Sequence, residues 1–587
     1  MKKKLICFLL ALTMLLSCFL VLTSCDDDEC TEHVDADNDK KCDKCGEKIE
    51  QAKCQHVDEN KDEKCDKCGK DLSDGGDEEV YNYPWDKTEL LFQLTHNSDK
   101  QQLPSTQMRY MAGEDINAVD TIDTYVAERN ADAYYNTKVN ITYNYYEDVD
   151  DYGMDGVLEI IYNNTHSNTV KDNPDIYANF NSTLVACSLK ACFANLKSET
   201  KGTNYFQFND ADYDEEVDNR GYMFDYMENT TLSKFKMYIL ASDYCTDLIR
   251  AFYTVPVNVT LLESVGSQIT GDRNGDEKFT IDDFYIQVQN KEWNYDLVAA
   301  YSDKVYKASA NNTTGGESIH DILGWALDKG GLCGSGVLYT TPITIIDKKF
   351  DDAKNDYKYS YPEESDDIYE LCDNLSVLMK KTGVLCVSSD FQQYGNSAYM
   401  AIRNRFCDNK ILFGGSVLLG SLEYDVYQQL KDKGGFGVVP MPFYHDVAPD
   451  SEERYLTAIH VNGSSIAIAV CTTKFSMCTA FLDYQSTHST DILNEYYDYK
   501  LQYQVADGTV KGTVEMLQYI RNNVRSNFDK TMEDTINGYF NAYEDEWHVI
   551  ICKSEYEIDI RDKYGSLYQT KMDRLNDVIK TYDTLPE

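Results

Sequence analysis

The sequence predicts an α/β protein built on parallel sheets. The segment "ELLFQLT" (89–95) has the pattern of a buried strand, "DTIDTYVAERNADAYYN" (120–136) has helical spacing, and "KVNITYNYY" (138–146) alternates as a strand does. The order continues with "NPDIYANF" (173–180) as a strand and "TLVACSLKACFANL" (183–196) as a helix. Because parallel strands need a crossover between them, this alternation indicates an α/β layer with a parallel sheet.

The N-terminus has the order of an export signal. A Lys triplet is followed by a long apolar run and then by Leu22-Thr23-Ser24-Cys25. A small residue followed by Cys resembles the lipobox of bacterial lipoproteins, which implies a signal peptide over 1–24 and a lipidated Cys25 as the new N-terminus. The resemblance places the protein on the extracellular face of a cell membrane. The alternative is an uncleaved transmembrane helix, since the apolar run is nearly long enough to span a bilayer.

Length and charge narrow the class of protein. A chain of 587 residues has room for two or three domains. The formal net charge of −45 makes nucleic acid an unfavourable partner, because its phosphates would be repelled. A hydrophobic content of 42% with 46 Tyr and 22 Phe is typical of a globular protein rather than a disordered one.

Two short repeats follow the signal, "CTEHVDADNDKKCDKCG" at 30–46 and "CQHVDENKDEKCDKCG" at 54–69. Each has a Cys and a His on one arm and a Cys-x-x-Cys-Gly on the next, which suits a tetrahedral zinc ion. The predicted ligands are Cys30, His33, Cys42 and Cys45 in the first repeat and Cys54, His56, Cys65 and Cys68 in the second. Disulfides are the alternative outside the cell, although three cysteines per repeat do not pair internally. A closed four-ligand site predicts a structural role.

These features divide the chain into four parts. Residues 1–24 form the signal peptide, residues 25–72 the lipidated Cys and the two metal-binding repeats, residues 73–87 an acidic linker, and residues 88–587 the main domain. Each repeat is too small for a hydrophobic core and would be held together by its ion.

An acidic insert at 271–284, "GDRNGDEKFTIDDF", suggests calcium. Oxygen-bearing side chains occupy positions one, three, five, nine and twelve of an EF-hand-like loop, namely Asp272, Asn274, Asp276, Thr280 and Asp283. The sixth position is Glu277 where Gly is expected, and its side chain should hinder the turn. The alternative is an acidic turn before a helix. No second copy is visible, so a cohesin partner is not expected.

The order of later segments carries a family resemblance. The segments are "KMYILAS" (236–242), "VPVNVTLLES" (255–264), "NRFCDNKILFGGSVLLGSLE" (404–423), "GGFGVVPMPFYH" (434–445), "AIHVNGSSIAIAVCTTKF" (458–475) and "TAFLDYQSTHSTDILNEYYDYKLQY" (479–503). Together with the strands and helices before them, this order resembles the family 1 extracellular solute-binding proteins of ABC importers. The resemblance implies a two-lobed, type II periplasmic-binding-protein-like fold with a hinge. It also implies a small solute, often an oligosaccharide, and a membrane permease as partners.

The resemblance also suggests ligand-binding residues. Sugar sites use aromatic faces and amide or carboxylate groups. The candidates are Asn97, Asn179, Tyr244, Asn258, Trp325 and His460. In the family an aromatic residue precedes this Asn, whereas here Val257 precedes Asn258. The alternative for Trp325 is that it is a core residue on a helix face.

No enzyme motif is recognisable. Gly334-Ser335-Gly336 lacks the context of a nucleophile elbow, and His445, His460 and His488 are isolated. Ten further cysteines, from Cys187 to Cys552, are expected mainly as small buried residues with one or two disulfides. Two function classes remain open, a solute-binding lipoprotein of an ABC importer and a cell-surface adhesion or sensing protein that keeps the same fold.

Overall fold

A computed structural model describes the greater part of the main domain. The described residues are 85, 88–94, 109–112, 121–145, 149–167, 173–206, 208, 221–312, 315–328, 332–344, 346–360, 366–460, 463–501, 511–526, 528 and 560–586. The chain divides into two compact units, Met1–Tyr81 and Asn82–Glu587. The first unit, with Cys25 and both Cys/His repeats, lies outside the described residues.

Strands and helices alternate along the described chain. The strands are β1 (Glu89–Leu94), β2 (Asn140–Tyr145), β3 (Ile176–Phe180), β4 (Tyr253–Asn258), β5 (Leu323–Asp328), β6 (Asp347–Asp351), β7 (Asp356–Ser360), β8 (Val384–Val387), β9 (Ile411–Phe413), β10 (Val417–Leu418), β11 (Phe436–Val439) and β12 (Ser464–Ile468). The helices are α1 (Arg109–Ala112), α2 (Thr121–Thr137), α3 (Val149–His166), α4 (Asn181–Ser188), α5 (Phe224–Glu228), α6 (Thr246–Ile249), α7 (Val259–Gly266), α8 (Ile281–Gln289), α9 (Tyr295–Val305), α10 (Leu332–Tyr339), α11 (Asp366–Leu378), α12 (Ala398–Cys407), α13 (Asp425–Lys431), α14 (Phe475–Thr487), α15 (Thr490–Glu495), α16 (Lys511–Asn522) and α17 (Ile560–Asp583). A 3₁₀ turn spans Leu419–Glu423 and a π-helical turn spans Tyr496–Leu501.

The first lobe is built on a four-stranded sheet of order β12-β3-β1-β2. β1 is parallel to β2 and β3, whereas β12 is antiparallel to β3. Leu90, Phe92 and Leu94 of β1 are fully buried, as expected for a central strand of a parallel sheet covered on both faces.

The second lobe repeats this arrangement. β5 lies between β8 and β9 and is parallel to both, and β4 is antiparallel to β9 and to β11. β10 pairs with the beginning of β4. In each lobe, therefore, three neighbouring parallel strands pair at one side with an antiparallel strand. The chain enters that antiparallel strand after crossing from the other lobe.

Three crossing segments, 249–253, 457–460 and 523–526, lie side by side between the lobes. Tyr253 N donates to Ala458 O at 3.0 Å, and His460 N donates to Ala251 O at 2.9 Å. Thr457 N donates to Asn523 O at 2.9 Å, which joins the third segment to the second. Two sheets with exchanged antiparallel strands and a hinge of adjacent crossing segments form the two-lobed type II fold that the sequence predicts.

The β6–β7 hairpin, which the chain inserts between α10 and α11, packs on the first lobe. Asp356 accepts hydrogen bonds from Ser233 Oγ at 2.7 Å and from Lys234 N at 2.8 Å. Tyr357 donates to Glu228 Oε1 at 3.0 Å. The hairpin therefore ties the α10–α11 connection to the first lobe, in addition to the crossing segments.

The predicted elements are confirmed, with two corrections to helix length. The helix expected over 183–196 ends at Ser188, and the long helix expected over 479–503 is interrupted after Thr487. Trp325 lies in strand β5 and not on a helix, so the secondary structure expected for it in the core-residue alternative is wrong. None of the helices in the described residues combines the length and apolar character that crossing a membrane requires.

Candidate ligand-binding site

The candidate site is the crevice at the carboxyl ends of the parallel strands, beside the hinge. On the first lobe, Asn181 N follows β3 and donates to Gly463 O at 2.9 Å, just beyond the second crossing segment. On the second lobe, Gly336 N of α10 donates to Ser416 Oγ at 3.2 Å. The backbone of Gly336 also approaches Tyr253 closely, since a Cβ added at Gly336 would lie 3.0 Å from the Tyr253 ring. Open α/β folds bind ligands at this edge of their sheets, so the crevice is the position expected for a solute.

Two asparagines at the end of β3 carry buried amide groups without a partner. Asn179 Oδ1 accepts a hydrogen bond from Phe180 N at 2.7 Å, and Asn181 Oδ1 accepts one from Ser465 Oγ at 3.1 Å. The Nδ2 atoms of Asn179 and Asn181 have no hydrogen-bond partner, although both residues are almost completely buried. An unpaired buried donor costs about 1–3 kcal/mol, so these amides favour a ligand that brings acceptor oxygens.

Aromatic rings form the hinge side of the crevice. Tyr253 of the first crossing segment stacks on Tyr339 of α10, with ring centroids 5.7 Å apart and planes 22° apart. Tyr253, Leu418 and Ala458 form a small apolar cluster separate from the main core, and the partly buried Tyr339 packs against it. A partly exposed ring at this position offers a face for stacking.

His460 of the second crossing segment completes this side. Its ring lies 5.6 Å from that of Tyr253. Burial lowers the pKa of His460 to about 4, so its imidazole is neutral at physiological pH. Among the predicted ligand residues, the structure brings Asn179 and His460 to the crevice. Asn181, Tyr253 and Tyr339 were not singled out from the sequence, because nothing local in their segments distinguishes them from core residues.

Three other predicted ligand residues lie in the core. Tyr244 is fully buried in the first lobe, where its hydroxyl is 2.9 Å from that of Tyr143 and the Arg129 guanidinium lies 4.7 Å from its ring centroid. Burial, together with the neighbouring Tyr143, raises the pKa of Tyr244 well above its usual value. This side chain is therefore committed to a buried polar cluster.

Asn258 and Trp325 hold the second lobe together. Asn258 caps α7 by accepting from Leu261 N at 3.0 Å, and its amide donates to Asn409 Oδ1 at 2.7 Å. Trp325 is 1% exposed in β5, with its ring 6.0 Å from that of Tyr295. Asn97 lies outside the described residues.

A cavity of about 310 Å³ adjoins the hinge on the first lobe. Its walls include Tyr222, Phe224 and Tyr226 around helix α5, and Ile459 and Val524 of two crossing segments. Two crossing segments therefore form part of its wall.

The acidic loop at 271–284 is held by hydrogen bonds from its own backbone amides to its carboxylates. Asp272 Oδ2 accepts from Glu277 N at 2.8 Å, and Asp283 Oδ1 accepts from Arg273 N at 2.6 Å. Glu277 has a φ of +67°, so it adopts the left-handed conformation that Gly usually supplies at the sixth position. Burial opposes ionisation of Asp283, but three backbone amide bonds hold its pKa below the usual value. Within the described residues, no three His, Cys, Asp or Glu side chains are grouped to hold a metal, so calcium here stays a prediction.

Calcium is expected to raise the melting temperature of the protein if this loop binds it. A ligand at 100 times its Kd stabilises the folded state by about 2.7 kcal/mol. Asp276→Asn removes one carboxylate while its amide oxygen can still accept the bond from Lys278 N, so this variant should lose most of the shift. Asp303→Asn, exposed on α9, is the matched control. No shift in the wild-type protein at millimolar calcium would leave the loop as an acidic turn.

Comparison with known proteins yields structural similarity alone. No protein-family model matches the chain, and no curated protein matches it. The solved structures that match include the sugar-binding protein MalE from Xanthomonas citri, with 10% identity, a TM-score of 0.48, and coverage of 85% of this chain and 100% of that chain. The GacH receptor of Streptomyces glaucescens, solved unliganded and with acarbose, has 13% identity, a TM-score of 0.44 and coverage of 83% and 98%. An extracellular solute-binding protein from Staphylococcus aureus in complex with maltose has 11% identity, a TM-score of 0.45 and coverage of 84% and 99%. Similarity at these TM-scores is too low to support an inference about this protein. The fold is assigned from the strand order and the crossing segments.

Proposed function

We propose that this protein is a solute-binding lipoprotein, anchored through Cys25, that captures an oligosaccharide between its lobes for an ABC permease. The observation that carries the proposal is the crevice beside the hinge, with two unpaired buried amides at the end of β3. The permease and the lipid anchor come from the sequence resemblance.

The chemistry of the crevice favours a neutral, hydroxyl-rich ligand. Asn179 and Asn181 offer amide donors, and the partly exposed Tyr339, which stacks on the buried Tyr253, offers an aromatic face. His460 is neutral, so it adds a polar group without a charge. Sugar rings present hydroxyl oxygens at their edges and C–H groups on their faces, which match these two kinds of contact.

Ligand capture would close the hinge. A solute that contacts both lobes binds the closed form more tightly than the open form, and the difference in affinity shifts the equilibrium. The three crossing segments are the part of the described chain that absorbs this rotation.

A thermal-shift screen against mono- to hexasaccharides and short peptides tests the function. A solute that binds only the folded protein raises its melting temperature, and small-angle scattering should show compaction on binding. A sugar hit with compaction supports the proposal. Binding to insoluble polysaccharide with no response to any oligosaccharide would instead favour the surface-adhesion class.

Tyr339→Ala is expected to weaken binding of the sugar found in that screen by roughly 5- to 150-fold. Loss of one stacking ring costs about 1–3 kcal/mol, and 1.4 kcal/mol corresponds to a tenfold change in Kd. Tyr135→Ala, which removes a ring 71% exposed on α2, is the matched control and should leave the Kd unchanged. Equal affinities of Tyr339→Ala and the wild type, measured by calorimetry, would remove this ring from the site.

A further inference from the structure

Helix α4 ends in a tight turn that brings two cysteines together. Ala191 has a φ of +57°, Ala191 N donates to Ser188 O at 2.9 Å, and Cys192 N donates to Cys187 O at 3.2 Å. These two bonds and the left-handed residue define a Schellman turn, in which the residue after the left-handed one returns to the last turn of the helix.

The Schellman turn places the side chains of Cys187 and Cys192 in contact. This contact is usually between two hydrophobic residues. Here both residues are cysteines and both are fully buried, and the Cys192 thiol donates to Lys190 O at 3.9 Å. The interaction with Cys192, followed by burial, raises the pKa of Cys187 well above its usual value, and the interaction with Cys187 lowers the pKa of Cys192.

A continuous helix would place these two cysteines badly for a bridge. On a continuous helix, residues five apart point about 140° away from each other. Because α4 stops at Ser188, the chain reverses and the two thiols meet.

We propose that Cys187 and Cys192 form a disulfide bond that closes the C-terminal turn of α4. The required oxidant is an external disulfide, either a small molecule or an exported thiol oxidoreductase. The Cys192 thiolate attacks one sulfur of that disulfide and releases a first thiolate. The Cys187 thiolate then attacks the Cys192 sulfur of the mixed disulfide and releases the second. The two cysteine thiols lose two protons, and the external disulfide is reduced to two thiols.

The burial of both cysteines determines when the disulfide can form. Both cysteines are inaccessible in the folded lobe, so exchange takes place before the lobe has folded or during local opening. Once formed, the bond is shielded from reductants. Cys386 of the second lobe is already disulfide-bonded, so oxidative pairing is part of this fold.

The position of the turn gives the bond a structural consequence. α4 begins at Asn181, one of the crevice amides, and Val470 N donates to Cys192 O at 2.9 Å just after β12. A disulfide at the end of α4 therefore fixes the helix that follows the crevice strand β3. The inference concerns the lobe itself and stands independently of the ligand.

Peptide mapping of the full chain tests the bond. The protein is unfolded in reductant, refolded in a buffer of oxidised and reduced glutathione, alkylated under denaturing conditions and digested. We expect the peptide containing both residues to be unalkylated and two hydrogens lighter than the reduced form. Alkylation of both thiols overturns the proposal, and so does a bond between Cys192 and the partly buried Cys471, whose pKa is influenced by Cys192.

A thermal measurement provides a second readout. Wild-type protein refolded in reductant should melt several degrees below wild-type protein refolded in the glutathione buffer, and the Cys187→Ala/Cys192→Ala double variant should show a smaller drop. Cys245→Ala, which changes another buried cysteine of the same lobe, is the matched control and should retain the wild-type drop. Because Cys386 is present in all three proteins, its disulfide contributes equally. An identical drop in the double variant and the wild type contradicts the proposal.

Discussion

The variant Glu423→Ala is expected to lower the free energy of unfolding by about 3–5 kcal/mol. Glu423 Oε1 lies 3.2 Å from Arg250 Nε, an ion-pair contact rather than a well-aligned hydrogen bond, and the side chains are 10% and 5% exposed. Tyr496 also donates its hydroxyl to Glu423. Removing the carboxylate takes a nearby negative charge away from a buried guanidinium, and the loss of one member of a buried ion pair is strongly destabilising.

The ion pair lies where the two lobes meet. Arg250 is in the first crossing segment, and its carbonyl accepts from Gly420 N at 2.9 Å in the 3₁₀ turn that ends at Glu423. Asp577→Ala is the matched control, because the Lys580–Asp577 pair on α17 is about three-quarters exposed and such pairs contribute little. Urea unfolding measures both variants. Equal losses in Glu423→Ala and Asp577→Ala would contradict a stabilising role for the buried pair.

Trp325→Ala is expected to cost about 3–5 kcal/mol of stability, the range for removing a large aromatic side chain from a core. Trp325 lies at the centre of the second-lobe sheet, in register with Val384 of β8 and Phe413 of β9. Its ring also packs beside that of Tyr295, so an alanine would leave a cavity next to that ring.

This variant separates a core role from a ligand role for Trp325. With the side chain 1% exposed, we expect the Kd of a sugar ligand to change little at a temperature where the variant is folded. Trp325→Phe retains a ring and should lose less stability than Trp325→Ala. Wild-type stability in Trp325→Ala, combined with lost binding, would return this residue to the ligand site.

Local periodicity was sufficient to predict the elements. The apolar positions of β1 and the helical spacing of α2 depend on residues within one or two turns of each other, and both elements are found close to the predicted bounds. Crossover helices between strands predicted parallel sheets. The two lobes were predicted from the resemblance of the segment order to extracellular solute-binding proteins. The zinc role of the Cys/His repeats and the lipidation of Cys25 stay predictions.

Only the tertiary structure decided which residues meet. Tyr253, Tyr339 and His460 are distant in sequence and come together because three crossing segments pair between the lobes. Tyr244 and Trp325 are as buried as Tyr253, yet each is enclosed by strands and helices of a single lobe, whereas Tyr253 lies on a segment that crosses between the lobes. Which segments meet depends on long-range contacts, so the type of residue does not reveal it.

The end of α4 shows, within a single turn, both what the local sequence determines and what only the tertiary structure decides. The sequence by itself determined a helix containing Cys187 and an apolar run through Cys192, because both have helical spacing. Ala191 was not recognisable as a stop, since Ala is the best helix former and rarely adopts positive φ. The structure places Phe193 against Ala469 beyond β12. That long-range pairing outweighs the local preference, which ends the helix and brings the two thiols into contact.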